Sequence, residues 1–213
     1  MHITKSTAAA AAALALLPAT AFAATIIGGP GSERLIGTNG PDHIDGNHGD
    51  DRIFGLGAND VLIGGPGDDV VRGGHGDDDV RGDANLVGDR TSFDRLFGGR
   101  GNDTLRGGDS RDRMHGGLGD DVAFGEHGRD LLFGGPGNDR QHGNGGPDVI
   151  RLGRGADAAF GDAGDDRLHA RDGHVDSVVC GEGFDRAFLD RRDVIADAGA
   201  GNPNGSCERV RRR

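Results

Sequence analysis

A carboxylate returns at every ninth residue through most of this chain. It passes from Glu33 to Asp42, Asp51, Asp60, Asp69 and Asp78, and after one break in register continues as Asp94, Asp103, Asp112, Asp121, Asp130, Asp139, Asp148, Asp157 and Asp166. Glycines precede it at fixed offsets, as in residues 64–72 (GGPGDDVVR) and 73–81 (GGHGDDDVR). Carboxylates combined with the carbonyls of tight glycine turns form an all-oxygen donor set, the preference of a hard cation taking about six to eight ligands. The acids are 31 Asp against 4 Glu, a bias towards the side chain that can hold a turn and still reach an ion close to the backbone.

The elements that must position these carboxylates follow from the same nine-residue unit. Places one, two and four are the glycine places, where positive φ is reached without the strain of a β-carbon. Places seven to nine, such as Asp79-Val80-Arg81 or Thr104-Leu105-Arg106, read as a short strand whose middle residue points inward. That inward column runs Leu35, Ile44, Ile53, Leu62, Val71, Val80, Leu96, Leu105, Met114, Ala123, Leu132, Ile150, Ala159 and Leu168, and only Gln141 interrupts it. Self-similarity at a short fixed period is the signature of a solenoid, so the expected fold is all-β.

These motifs resemble the RTX, or haemolysin-type, calcium-binding nonapeptide repeats, whose pattern GGxGxDxUx fits residues 64–72 and 116–124 place by place. The resemblance implies a parallel β-roll, a β-solenoid with two nonapeptides per coil, in which each Ca²⁺ sits between turns of neighbouring coils. Multiple Ca²⁺ ions are then the expected cofactor. Asp42, Asp51, Asp60, Asp69, Asp78, Asp94, Asp103, Asp112, Asp121, Asp130, Asp139, Asp148, Asp157 and Asp166 are the expected metal ligands. Repeats 18 apart should stack, which sets Asp51 near Asp69, Asp103 near Asp121 and Asp112 near Asp130. Such like charges repel until an ion lies between them, and with one inward side chain per nine residues the apolar column alone is thin. Calcium binding and folding are therefore expected to be one event.

Residues 1–23 read as a secretory signal peptide, with Lys5, an apolar run through Leu17 and Ala21-Phe22-Ala23 as a small-x-small cleavage site. The run is short, Ala-rich and broken by Pro18, unlike a transmembrane helix of about 20 apolar residues. No transmembrane segment is expected, and the mature chain is expected to be secreted, a departure from family members that carry a C-terminal export signal. Residues 24–169 form the expected roll. Residues 82–88 (GDANLVG) are extra to the nine-residue count, and Asp89 is expected to resume the register, the insertion bulging as a loop from one continuous domain. Residues 170–213 read as worn repeats, with Asp176 and Asp185 in the acidic place, followed by a cap and a basic tail at 209–213.

Composition narrows the function. Gly contributes 43 residues, Trp and Tyr are absent, and the formal net charge is −11, a balance that argues against nucleic acid as a partner. There is no HExxH helix and no GxSxG elbow, and no catalytic constellation, so no enzyme is expected. His115, His142 and His169 lie 27 apart and alternate between faces, so they are not expected to converge on zinc. Thr104 stands nearly alone in the strand places, which discounts a threonine-ladder ice-binding face. Cys180 and Cys207 are the only cysteines, and an oxidising compartment implies that they pair and fasten the last turns to the tail. Place nine should stack into two outer rows, one through Arg106, Phe124, His142 and Phe160, the other through Phe97, His115, Phe133, Arg151 and His169. Two roles stay open: a secreted calcium-binding β-roll with an unidentified extracellular or cell-surface partner, or a non-catalytic accessory or adhesion module for an exported enzyme or the cell surface.

Overall fold

A computed structural model describes residues 22–83, 92–197 and 206–213. The expected leader lies outside the described residues except for its last two, and so does most of the insertion. Among the described residues there is no helix, and none is therefore long and apolar enough to cross a membrane. Successive strands alternate between two parallel ten-stranded sheets. The first sheet begins with Thr25–Ile27 and the second with Arg34–Ile36. Each strand pairs with the next but one, so the chain winds as a β-roll with two nonapeptides per coil, as the family resemblance implies.

The register is 18 over most of the roll. Leu35 lies opposite Ile53, and Ile44 opposite Leu62. Across the insertion it becomes 25, with Val71 opposite Leu96 and Val80 opposite Leu105, so both sheets continue past it unbroken. The position of the insertion differs from the expectation. The Gly65 N–H donates to the Gly82 carbonyl, and the Gly82 N–H donates to the Arg106 carbonyl, so Gly82 occupies a first turn place rather than opening a loop. Asp83 lies against Gly108 in the second place, and the Ser92 hydroxyl meets that of Ser110 in the fourth. The surplus in the nine-residue count therefore falls between Asp83 and Ser92, outside the described residues. A count of nine gives the size of the surplus but not its place.

The roll also extends further than its glycines suggest. After the slip at Ala170, Ala158–Phe160 still pairs with Ser177–Val179, and Arg186–Leu189 with Arg209–Arg212. The basic tail is thus the last strand of the second sheet. Cys180 and Cys207 form a disulfide with Cα atoms 5.1 Å apart, within the reach of such a bridge. The Ser206 hydroxyl accepts the N–H groups of Cys180 and Gly181 beside it.

The core is the predicted inward column. Leu35 through Leu132 form one buried cluster, and a second begins at Ile150. Gln141 separates them. Its side chain is 1 % exposed, neither amide atom has a hydrogen-bond partner, and its neighbours on the same sheet are Ala123 and Ala159. The two alanines leave the volume that a long side chain needs, while the amide loses hydration without replacement. Gln141→Leu is expected to raise unfolding stability by about 1–3 kcal/mol, read from urea unfolding in calcium. A loss of stability would show that the amide is held by a partner.

The two outer faces differ. In the second sheet, place seven carries Arg34, Arg52, Val70, Arg95, Arg113, Leu131, Val149, Arg167, Arg186 and Arg209. Place nine there carries Ile36, Phe54, Arg72, Phe97, His115, Phe133, Arg151, His169, Phe188 and Arg211. The first sheet is mixed, with Asp45, Asp79, Arg81, Arg106 and Arg140 among neutral residues.

Place nine forms the two expected rows. His115 stacks on Phe97 and Phe133 with ring centroids 5.4 and 4.3 Å away, and His142 on Phe124 and Phe160 at 5.3 and 4.4 Å. Arg106 covers Phe124 at 5.6 Å and Arg151 covers Phe133 at 5.4 Å. The second row also runs further, to Arg72 and Phe54 at one end and, beyond His169, to Phe188 and Arg211 at the other. Each exposed cation–ring contact contributes roughly 0.5–1 kcal/mol, so the rows reinforce coils that the thin core holds weakly.

Candidate metal centre

The sixth-place carboxylates form two columns inside the turn edges of the roll. Each turn delivers its aspartate just before a strand, so the side chain folds back under the turn. Every predicted ligand from Asp42 to Asp166 is at most 4 % exposed. One oxygen of each has a structural task. Oδ1 of Asp69 accepts the N–H of Asp51 at 2.7 Å, Oδ1 of Asp121 that of Asp103 at 2.8 Å, and Oδ1 of Asp130 that of Asp112 at 2.7 Å. The ladder continues through Asp139, Asp148, Asp157 and Asp166. It crosses the insertion from Asp69 to Asp94 and from Asp78 to Asp103. The repeats 18 apart are thus brought together as the sequence predicts, each carboxylate bonded to the backbone of the coil before it.

The other oxygen has no such partner. Oδ2 is buried and without a hydrogen bond in Asp51, Asp60, Asp69, Asp78, Asp94, Asp103, Asp112, Asp121, Asp130, Asp139, Asp148, Asp157 and Asp166, and again in Asp176 and Asp185. A buried carboxylate oxygen left unpaired is costly. Burial accordingly pushes these carboxyls up, opposed by the ladder hydrogen bond and aided by neighbouring aspartates. Asp51 and Asp60 rise to about 6, Asp121 to about 7 and Asp94 and Asp130 to about 9. Such a column either keeps protons or, when ionised, calls for a counter-cation. Among the described residues no three His, Cys, Asp or Glu side chains gather into one metal cluster, so an ion here would draw its further oxygens from backbone carbonyls or water. Carboxylate plus carbonyl oxygen fits calcium.

The first-place glycine leaves room for this arrangement. A β-carbon on Gly116 would collide with Oδ2 of Asp121 and with the carbonyl oxygen of Gly134, and Gly64 stands in the same relation to Asp69. Two of the expected ligands differ from the others. The Thr38 N–H donates to Oδ2 of Asp42 at 2.5 Å, so the second oxygen of Asp42 already has a partner. Asp157 belongs to a repeat that begins with Leu152, which pairs in the row of Gly134 but is fully buried among apolar side chains. Ala170, Cys180 and Leu189 continue that change. Towards the C-terminus the first place thus passes from glycine to apolar packing and the disulfide.

A second ladder, absent from the sequence expectations, runs along the exposed fifth place in the opposite sense. Oδ1 of Asp77 accepts the N–H of Asn102, Oδ1 of Asn102 that of Asp120, and Oδ1 of Asp120 that of Asn138. The Asp/Asn at place five in GGRGND, GGLGDD and GGPGND is its signal. His115 and His169 lie on the second sheet and His142 on the first, so they do not converge.

No curated protein matches the chain. A family model described as the RTX calcium-binding nonapeptide repeat (4 copies) matches residues 27–62, 54–85, 91–123, 107–140 and 142–174, which covers the turns that carry Asp42 to Asp166. With its glycine turns, buried aspartate columns and parallel two-sheet roll, the chain belongs to the RTX calcium-binding nonapeptide repeat family.

Proposed function

We propose that this is a secreted, non-catalytic β-roll that takes up several Ca²⁺ ions along both turn edges and folds as it does so. The observation that carries this reading is the unbroken series of buried aspartate oxygens without partners. Asp51, Asp60, Asp69, Asp78, Asp94, Asp103, Asp112, Asp121, Asp130, Asp139, Asp148 and Asp166 are the proposed ligands with a glycine first place. Asp42 and Asp157 are proposed as weaker ones. Bound calcium would supply the positive charge that these columns lack. The protein's part is to hold Oδ1 on the backbone ladder, which aims Oδ2 and fixes the spacing between coils. The disulfide and the expected leader support an extracellular setting.

The reading has a pH signature. In the unfolded chain these carboxyls ionise near 4, whereas in the roll burial holds them near 6 to 9. The folded chain keeps protons that the unfolded chain releases. This contribution to the stability of the metal-free roll is fully present below about pH 4 and is lost as pH rises through the folded values of about 6 to 9. Circular dichroism of the metal-free chain should therefore show more β-structure near about pH 5 than about pH 8. Because protons stabilise the metal-free roll while the unfolded and calcium-loaded chains are both already ionised, the calcium concentration for half-folding should rise between about pH 5 and about pH 8. A metal-free spectrum independent of pH, with a half-folding concentration that does not move, would count against the buried columns as the binding sites.

A further inference from the structure

The second sheet carries a cationic outer face on a chain whose net charge is −11. No acidic residue occupies place seven or nine of any of its strands, and the arginines there pair across strands with one another. Arg34 lies opposite Arg52, Arg95 opposite Arg113, and Arg167 opposite Arg186. Like charges directly opposite one another destabilise a sheet. On the first sheet the same situation is relieved, since Asp79 bonds both Arg81 and Arg106. Among the described residues no arginine of the second-sheet face makes an ion pair. Several are instead laid over rings, Arg34 over Phe54 at 5.0 Å, Arg72 over Phe97 at 5.0 Å and Arg113 over Phe133 at 5.4 Å. A ring beneath a guanidinium fixes its position and leaves its terminal N–H groups free for carboxylate or sulfate oxygens, and in Arg113 only the Nε–H is engaged, donating to His115 Nε2 at 3.4 Å.

We propose that this face binds a linear acidic polysaccharide lying along the roll axis. Strands repeat about every 4.8 Å, close to the length of one sugar in an extended glycan, so successive anionic groups meet arginines on successive strands from Arg34 to Arg113 and again from Arg151 to Arg209, the strand Leu131–Pro136 between them carrying none. The face is narrow, since places seven to nine span roughly 7 Å. It suits one glycan chain, whereas a nucleic-acid duplex, with a major groove alone about 12 Å wide, would overhang the aspartate-rich turns. Because the stacked rings cover one another, they present edges rather than faces, and recognition rests on the guanidinium groups.

The test uses the full mature chain in calcium, with chondroitin sulfate as the probe, neutral dextran as its control and duplex DNA as the competing class. The binding of the unmodified chain is compared with that of Arg95→Gln/Arg113→Gln/Arg151→Gln, with the same three sites changed to Lys, and with Arg140→Gln on the other sheet. Circular dichroism in calcium checks that each variant folds, so a failure of calcium-dependent folding is read separately from a failure to bind. The expected result is salt-sensitive binding of chondroitin sulfate and not of dextran, weakened at least about tenfold by the triple Gln variant. The Lys variant should recover part of it, and Arg140→Gln should change little. Absence of binding, equal binding by the triple Gln variant, or duplex DNA bound as tightly as the glycan would overturn the proposal.

Discussion

Replacing Asp121 by alanine is expected to destabilise the calcium-loaded roll by about 2–4 kcal/mol, while replacing it by asparagine separates the two tasks of that side chain. Alanine removes the acceptor of the Asp103 N–H, leaving a buried donor unpaired in addition to deleting a proposed ligand. Asparagine keeps an oxygen for the ladder but loses the charge. In chelator at neutral pH, Asp121→Asn should be no less stable than the parent, since the carboxyl it replaces is pushed by burial to about 7. In calcium it should unfold earlier than the parent. Urea unfolding in calcium, and the residual β-signal of the chelated parent and both variants by circular dichroism, measure this. If asparagine and alanine behave alike in both conditions, the ladder and the ion site are not separable in the way the geometry implies.

A still larger loss is expected from a residue two places earlier. Gly119 sits at φ +131°, and a β-carbon there would run into the carbonyl oxygen of Gly101 in the coil before it. Gly119→Val thus combines backbone strain with a collision against main chain that cannot swing aside, a cost of about 3–5 kcal/mol. Calcium should no longer fold the neighbouring coils fully, seen as a reduced end-point of the circular dichroism titration. By contrast Leu56 and Ala58, which already hold positive φ, should lose little on return to glycine. An end-point for Gly119→Val equal to that of the parent would refute the stacking argument at this turn.

Much of this was readable because a solenoid writes its third dimension as a period. Stacking at 18 residues turns each place into a column, so the inward Ile53-Val71-Leu96 series and the aspartate series could be named before any coordinates. The same regularity makes the aromatic rows legible, although the row from Phe54 to Arg211 was only partly seen. Phe188 follows the one-residue slip at Ala170, and Arg211 follows a segment with no repeat at all. The strand at Arg209–Arg212 was missed for the same reason, since four residues with three arginines carry no glycine punctuation and look like a charged tail. The place of the insertion was illegible because Gly82-Asp83 can begin either a loop or a repeat. What the sequence did not reveal about the site is the division of labour within each carboxylate, because a hydrogen bond to the coil before it depends on how closely the turns stack. Nor did the replacement of Gly by Leu152 disclose that the first place faces the core.

The coupling of calcium to folding is tested most directly by a calcium titration of residues 24–213 followed by circular dichroism. At neutral pH the chelated chain is predicted to lack most of its β-signal, and calcium should restore it cooperatively, with several ions bound per chain by equilibrium dialysis. A chelated chain already fully β, unchanged by millimolar calcium, would contradict the account.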